Sequence, residues 1–163
     1  MATEKDMFLQ SWEREFGTTM KVLKSYPKDK LELKPHAKSK SAKDLAWTFA
    51  SETQVFFDGC LTGTFDFQNA PKTPATMDET LAGYEKSHKA MTEKLKNLPE
   101  AEMNSTIKFY VAKDKVADVR RGDVMWTGLM DLIHHRGQFS VYLRLADAKV
   151  PSIYGPSADE PWM

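Results

Sequence analysis

The spacing of apolar and polar positions predicts four long helices. Apolar residues recur every three or four positions in four segments, which run from about Lys5 to Tyr26, Ser41 to Gly63, Met77 to Leu98 and Asp123 to Ala148. Ser41 and the Thr76-x-x-Glu79 pattern are typical of helix N-termini, and prolines follow the first and third segments. Four helices of about 20 residues with long connections indicate an all-α four-helix bundle.

The segments between these helices are polar or irregular. A lysine-rich connection covers residues 28–40, and a proline-containing loop covers residues 64–76. Residues 104–119 are ambiguous, because Ile107, Phe109 and Val111 alternate with polar positions and fit either a short strand or an irregular crossover. Three prolines after residue 150 predict an extended C-terminal tail.

The fourth helix carries polar residues on the same stripe as apolar ones. At about 100° per residue, one narrow stripe contains Val124, Asp131, His135, Gln138, Tyr142 and Leu145. We expect this stripe to face the core. A carboxylate and an imidazole in that position must be hydrogen-bonded, ion-paired or metal-bound, because burying them without a partner costs several kcal/mol or more.

The second helix also carries a carboxylate on an apolar face. Glu52 lies one turn after Thr48 on an apolar face and also needs a partner. If the two helices are neighbours, Glu52, Asp131 and His135 form a candidate site for a divalent ion such as zinc, manganese, iron or nickel. The alternative is a polar network without metal, in which Asp131 orients His135 and Glu52 bonds a nearby hydroxyl or amide.

Simpler interpretations apply to the other residues that could take part in a site. We expect His36 and His88 to face solvent. Arg136 and Arg144 should point away from the polar stripe, towards another helix, the tail or a second subunit. Gly137 is unfavourable inside a helix, and a close contact with another helix would explain it.

Composition and charge limit the possible partners. The 163 residues are 41% hydrophobic and 28% charged, which suits one globular domain spanning residues 1–163. Twenty-three basic and 23 acidic residues give no net charge, which argues against nucleic acid or an anionic membrane as partner. The single cysteine, Cys60, excludes an internal disulfide and a cysteine-rich zinc site. With no apolar span and no signal-peptide pattern at its start, the chain is expected in the cytoplasm.

Two parts of the sequence resemble the DinB-like family. The first part is the run from His134 to Leu145, which contains His-Arg-Gly-Gln and a trailing Tyr-x-Arg, together with the following segment 150–160. The second part is Ser41-Ala42-x-x-Leu45-Ala46-Trp47 at the start of the second helix. The resemblance covers nearly the whole chain in the expected order. It implies a DinB-like four-helix bundle, related to bacillithiol transferases and mycothiol-dependent isomerases, that forms a homodimer through its helices.

The resemblance also implies a divalent metal held by three histidines, which this chain matches only in part. His135 coincides with the second histidine of the HxxxH pair on the fourth helix, whereas Asp131 stands at the first. The histidine of the second helix falls at or near Thr48. Either Asp131 and Glu52 rebuild the site with His135, or the metal has been lost.

Two functional hypotheses follow. In the first, the protein is a divalent-metal-dependent transferase or hydrolase acting on a small molecule, with a low-molecular-weight thiol as one potential co-substrate. Glu52, Asp131 and His135 hold the metal, while Thr48, Gln138 and Tyr142 line the substrate pocket. In the second, the bundle is non-catalytic and serves a stress-associated or partner-binding role. Binding of nucleic acid is disfavoured by the zero net charge.

Overall fold

The computed structural model describes residues 1–162 and contains four long helices. These are α1 (Glu4–Lys24), α2 (Ala42–Thr62), α3 (Met77–Asn97) and α4 (Arg121–Leu145). Between α3 and α4 lies an antiparallel hairpin of β1 (Thr106–Ala112) and β2 (Lys115–Arg120). Short 3₁₀ helices cover Phe67–Asn69 and Glu100–Asn104. The predicted all-α four-helix fold is confirmed.

The helix ends follow the capping residues of the sequence. Ser41 caps α2 by accepting a hydrogen bond from the backbone of Asp44, and Thr76 forms a capping box with Glu79 at the start of α3. At the end of α2, Gly63 adopts a left-handed conformation with φ of 80°, which glycine enters without steric cost. The boundaries of α2 and α3 therefore lie within one residue of those predicted.

The packing order of the helices decides which side chains can meet. α2 packs against α3 and α4, and α1 packs against the same two helices. Aromatic side chains fill the space between them; Phe8, Phe49, Phe57 and Phe139 are all fully buried. Because α2 and α4 are neighbours, residues on their facing sides share one groove. Within residues 1–162, no helix is long and apolar enough to cross a membrane.

The hairpin resolves the ambiguous segment between α3 and α4. Ile107 pairs with Val119, and Phe109 pairs with Ala117. Ile107 is buried, and the ring of Phe109 meets that of Phe56 on α2 edge-to-face at 5.7 Å between centroids. Ile107 and Phe109 of β1 thus extend the core, whereas Val111, the third alternating residue, is exposed.

Two expectations about single residues are wrong. His88 does not face solvent: it is buried, and its ring stacks on that of Phe16 at 3.8 Å between centroids. The imidazole tolerates this position because its Nε2 lies 3.2 Å from the Glu13 carboxylate. A Cβ added at Gly137 would meet nothing within 4 Å, so no close helix contact explains that glycine. His36 is exposed, as predicted.

The tail after α4 folds back along the bundle without forming a helix or strand. The Asp159 carboxylate forms a 2.8 Å ion pair with Arg144 on α4, and the Glu160 carboxylate forms one of 2.7 Å with Lys21 on α1. The prediction that Arg144 contacts the tail is confirmed. These ion pairs tie the tail to both helices.

Candidate metal centre

Three potential metal ligands from α2 and α4 converge in the groove between these helices. The Nε2 atom of His135 lies 3.2 Å from Glu52 Oε1 and 3.4 Å from Asp131 Oδ2. One ligand atom from each of the three residues lies within 4.8 Å of the other two. The structure thus brings together the cluster proposed from the sequence.

The expectation that the polar stripe of α4 faces the core is only partly confirmed: Val124 and Tyr142 are buried, whereas its polar residues Asp131 and Gln138 lie exposed at the edge of the bundle. The Asp131 side chain is 53% exposed and that of His135 is 17% exposed. Leu145, expected on the same buried stripe, is 49% exposed. Arg136, about 100° further around the helix than His135, takes the core-facing position and is 1% exposed. The site is consequently open to small molecules.

Arg136 can occupy the core because it has partners there. It forms a 2.7 Å ion pair with Glu15 of α1, and its guanidinium also donates to the hydroxyl of Tyr154 in the tail. The Tyr154 hydroxyl in turn donates to Glu15 at 2.5 Å. A charge in a bundle core is tolerated when it is paired and hydrogen-bonded. The predicted contact of Arg136 with another helix and the tail is confirmed.

A second set of hydrogen bonds orients the imidazole of His135. Its Nδ1 donates to Gln138 Oε1 at 3.1 Å, and Gln138 Nε2 donates to His134 at 2.9 Å. In the neutral ring this arrangement leaves an Nε2 lone pair facing two carboxylates. A cation at this point, either a proton on His135 or a metal ion, would neutralise the carboxylates. The hydrogen bond to Glu52 is the main reason that the pKa of His135 is raised above its usual value.

The arrangement of donors fits a divalent ion. Metal–ligand bonds of about 2.0–2.2 Å place two adjacent ligand atoms about 3.0–3.5 Å apart. The two separations from His135, 3.2 and 3.4 Å, fall within that range, and the ligand oxygens of Glu52 and Asp131 lie within 4.8 Å of each other. Two carboxylates and one imidazole suit zinc, manganese, iron or nickel, and three protein ligands leave coordination positions for water or substrate.

A cavity of about 480 Å³ opens beside His135. Its lining comprises Ser39, Lys40, Leu45, His135, Gln138, Val141 and Tyr142. Gln138 and Tyr142, proposed as pocket residues from the sequence, are part of it. Thr48 is not: its buried hydroxyl accepts a 2.8 Å hydrogen bond from Lys40 Nζ.

Lys40 is the charged residue among the cavity residues that sequence reasoning missed, the others being Ser39, Leu45 and Val141. Lys40 lies in the lysine-rich connection before α2. The many charges of this connection are typical of an ordinary solvated loop. The Tyr142 hydroxyl donates to the Lys40 backbone carbonyl at 2.8 Å, which fixes this end of the connection to α4. No local sequence pattern predicts this contact, because Lys40 and Tyr142 are 102 positions apart.

Comparison with known proteins identifies the family. The sequence model of the DinB family matches residues 1–162. The chain belongs to the DinB family. It is 27% identical to a Bacillus subtilis protein described as uncharacterized protein YrdA over 157 residues, which cover 95% of this chain and 90% of YrdA.

Two solved structures share the fold. A DinB-like protein from Bacillus cereus superposes with a TM-score of 0.77 at 23% identity, covering 90% of this chain and 95% of the other. The DinB-like protein YjoA from Bacillus subtilis gives 0.73 at 20% identity, covering 91% and 97%. At these identities the likeness establishes the fold alone.

The three-histidine set that the family resemblance implies would use His135, the position of Asp131 and a position at or near Thr48. In this chain the three potential ligands that lie close together are Glu52, Asp131 and His135. Thr48, one turn before Glu52 on α2, accepts a hydrogen bond from the Lys40 ammonium.

Proposed function

We propose that this DinB-family protein is a divalent-metal-dependent enzyme that transfers or hydrolyses a group on a small molecule. The observation that supports this most is the convergence of Glu52, Asp131 and His135 beside a cavity. A divalent ion held there would supply Lewis acidity, which makes a coordinated water or thiol more acidic at neutral pH.

The protein's own residues have distinct tasks in this proposal. Glu52 and Asp131 contribute the negative charge that a divalent ion requires. Gln138 accepts a hydrogen bond from the Nδ1–H of His135 and so keeps the Nε2 lone pair directed at the two carboxylates. Leu45 and Val141 form apolar parts of the cavity beside the site, where they can exclude water from a bound substrate.

The competing proposal is a non-catalytic bundle in a stress-associated or partner-binding role. It is favoured by the hydrogen bonds that His135 already makes with Glu52 and Gln138, since a protonated imidazole would satisfy all three side chains without metal. In this case replacing His135 would change stability but not the affinity for any metal.

Metal content separates the two proposals. Protein purified without a metal-affinity tag should contain or take up about one divalent ion per chain, measured by elemental analysis and by calorimetric titration. Glu52→Gln, Asp131→Asn and His135→Gln should each weaken metal affinity by more than about 100-fold, because each removes a direct ligand and even outer-shell changes cost about 10–100-fold. His36→Gln, which removes an exposed histidine of the connection before α2, is the matched control and should bind like the wild type.

Absence of stoichiometric uptake by the wild type would rule out the metalloenzyme proposal. So would uptake that the three ligand substitutions leave unchanged, because the ion would then bind elsewhere. Either result would favour the non-catalytic bundle.

A further inference from the structure

Lys40, which carries a positive charge, is one of the residues that line the cavity beside the candidate metal centre. Its ammonium donates a 2.8 Å hydrogen bond to Thr48, which lies one helical turn before Glu52 on α2. Its backbone carbonyl accepts a hydrogen bond from Tyr142, which lines the same cavity. Although Lys40 is solvent-exposed, both ends of the residue are therefore held in place.

The charge of Lys40 has no carboxylate partner in the part of the chain that the structure describes. Lys28 and Lys30 of the same connection form ion pairs at 2.7 and 3.4 Å, and Lys43 in the first turn of α2 forms one at 2.6 Å. In contrast, no carboxylate of residues 1–162 lies within 4.0 Å of the Lys40 ammonium. Its hydrogen-bond acceptor, the Thr48 hydroxyl, is neutral. The ammonium keeps two donors for a ligand that enters the cavity.

The remainder of the cavity combines apolar surface with few polar groups. Leu45 is buried in its wall and Val141 is exposed at its edge, while Ser39 adds a hydroxyl near Lys40 in the sequence. His135, the histidine of the candidate metal centre, is also part of the lining. A volume of about 480 Å³ falls within the range of small-molecule sites.

We propose that this cavity selects small molecules that carry one carboxylate on a short apolar chain. Lys40 binds the carboxylate, and Leu45 and Val141 contact the apolar chain. One ammonium suits a singly charged group, whereas sites for phosphate commonly use several donors or the planar fork of arginine. The role of the cavity as a substrate pocket rests on the function proposed above, but the preference for an anion does not require the metal.

The preference can be measured by titrating ¹⁵N-labelled, chelator-treated protein with hexanoate and with hexanamide, its neutral analogue. Hexanoate should bind about tenfold more tightly, the lower range for a hydrogen bond to a charged group, with the largest amide shifts around Leu45, Val141 and Tyr142. Lys40→Met should make the two affinities equal, and Lys40→Arg should retain the preference. Lys38→Met is the matched control, because it removes one charge from the same connection but none from the cavity lining.

Equal binding of the two ligands by the wild type would overturn the proposal. A preference that survives Lys40→Met, or that disappears equally in Lys38→Met, would also overturn it, because the selectivity would then come from the overall field. The outcome is distinguishable from that of metal binding: metal uptake without anion preference rejects only this inference, and anion preference without metal uptake rejects only the enzyme.

Discussion

Arg136 is the largest fully buried side chain of residues 1–162, and its charge is matched inside the bundle rather than at the surface. Glu15 of α1 lies opposite it with a side chain only 4% exposed. The hydroxyl of Tyr154 is hydrogen-bonded to both groups, so the ion pair also anchors the C-terminal tail. With Arg136 in the core, His135, one residue earlier on α4, lies at the groove with α2.

Removing one partner of this pair should destabilise the protein strongly. We expect Arg136→Met to lower the free energy of unfolding by about 3–5 kcal/mol, because Glu15 is then a buried charge without its guanidinium. Urea denaturation followed by circular dichroism measures this change. The control is Arg144→Met, which breaks a more exposed ion pair with Asp159 and should cost about 0–1 kcal/mol.

A double variant checks the explanation. Glu15→Leu combined with Arg136→Met removes both charges, so it should be more stable than Arg136→Met alone. If the double variant is as unstable as the sum of two independent losses, the side chains contribute through packing and the ion pair is not the cause.

Within α4, two glycines have opposite surroundings. A Cβ at Gly128 would lie 2.3 Å from the Phe56 ring of α2, so this glycine permits the close approach of the two helices that carry the candidate site. A Cβ at Gly137 would meet no atom within 4 Å. The same residue type therefore allows close packing at one position of the helix and weakens the helix at another.

Substituting alanine at both positions should give changes of opposite sign. Gly128→Ala should destabilise the protein by about 1–3 kcal/mol, because Phe56 must move away from the new methyl group. Gly137→Ala should stabilise it by about 0.5–1 kcal/mol, because alanine favours the helix and the space is open. Thermal unfolding of the two variants in parallel measures both effects. A similar loss at the two positions would contradict the packing role of Gly128.

At the scale of elements, local signals were sufficient for most boundaries and insufficient for helix rotation. Ser41 and the Thr76–Glu79 box determine where α2 and α3 begin, and both act through nearby backbone groups. The rotation of α4 depends on a choice between two overlapping faces. Leu132, Phe139 and Leu143, at helical spacing from Arg136, are buried with it. The partner that makes a buried Arg136 acceptable is Glu15, 121 residues away, so a prediction that treats arginine as a surface residue selects the stripe of His135 instead.

At the scale of the whole molecule, the arrangement of four helices creates both the candidate centre and a buried histidine on the opposite pair. The adjacency of α2 and α4 brings Glu52 to His135, and the helical spacing of Asp131 and His135 made this grouping predictable. Lys40 was not predictable, because its place depends on how a long connection crosses the bundle. The contact of α1 with α3 encloses His88 in the same way.

His88 should make the whole fold sensitive to mild acid. Its ring lies against Phe16 and Trp12, and burial lowers the pKa of His88 below its usual value while the neighbouring Glu13 partly opposes the shift. Unfolding returns His88 to a pKa of about 6.5, so the unfolded chain binds the proton more readily than the folded one. This contribution to stability is therefore complete above about pH 6.5 and decreases as the pH falls towards the lower folded value.

Urea unfolding of wild type and His88→Phe at pH 7.5 and pH 5.5 tests this directly. Phenylalanine preserves the stacking with Phe16 but does not titrate, so the variant should lose less stability between the two pH values than the wild type. His36→Gln is the control, because it removes an exposed histidine and should keep the acid sensitivity of the wild type. The wild type and His88→Phe differ only at residue 88, so the difference in their acid sensitivity reports on the replacement of His88. If the wild type and His88→Phe lose the same stability on acidification, protonation of His88 does not limit the stability of the bundle.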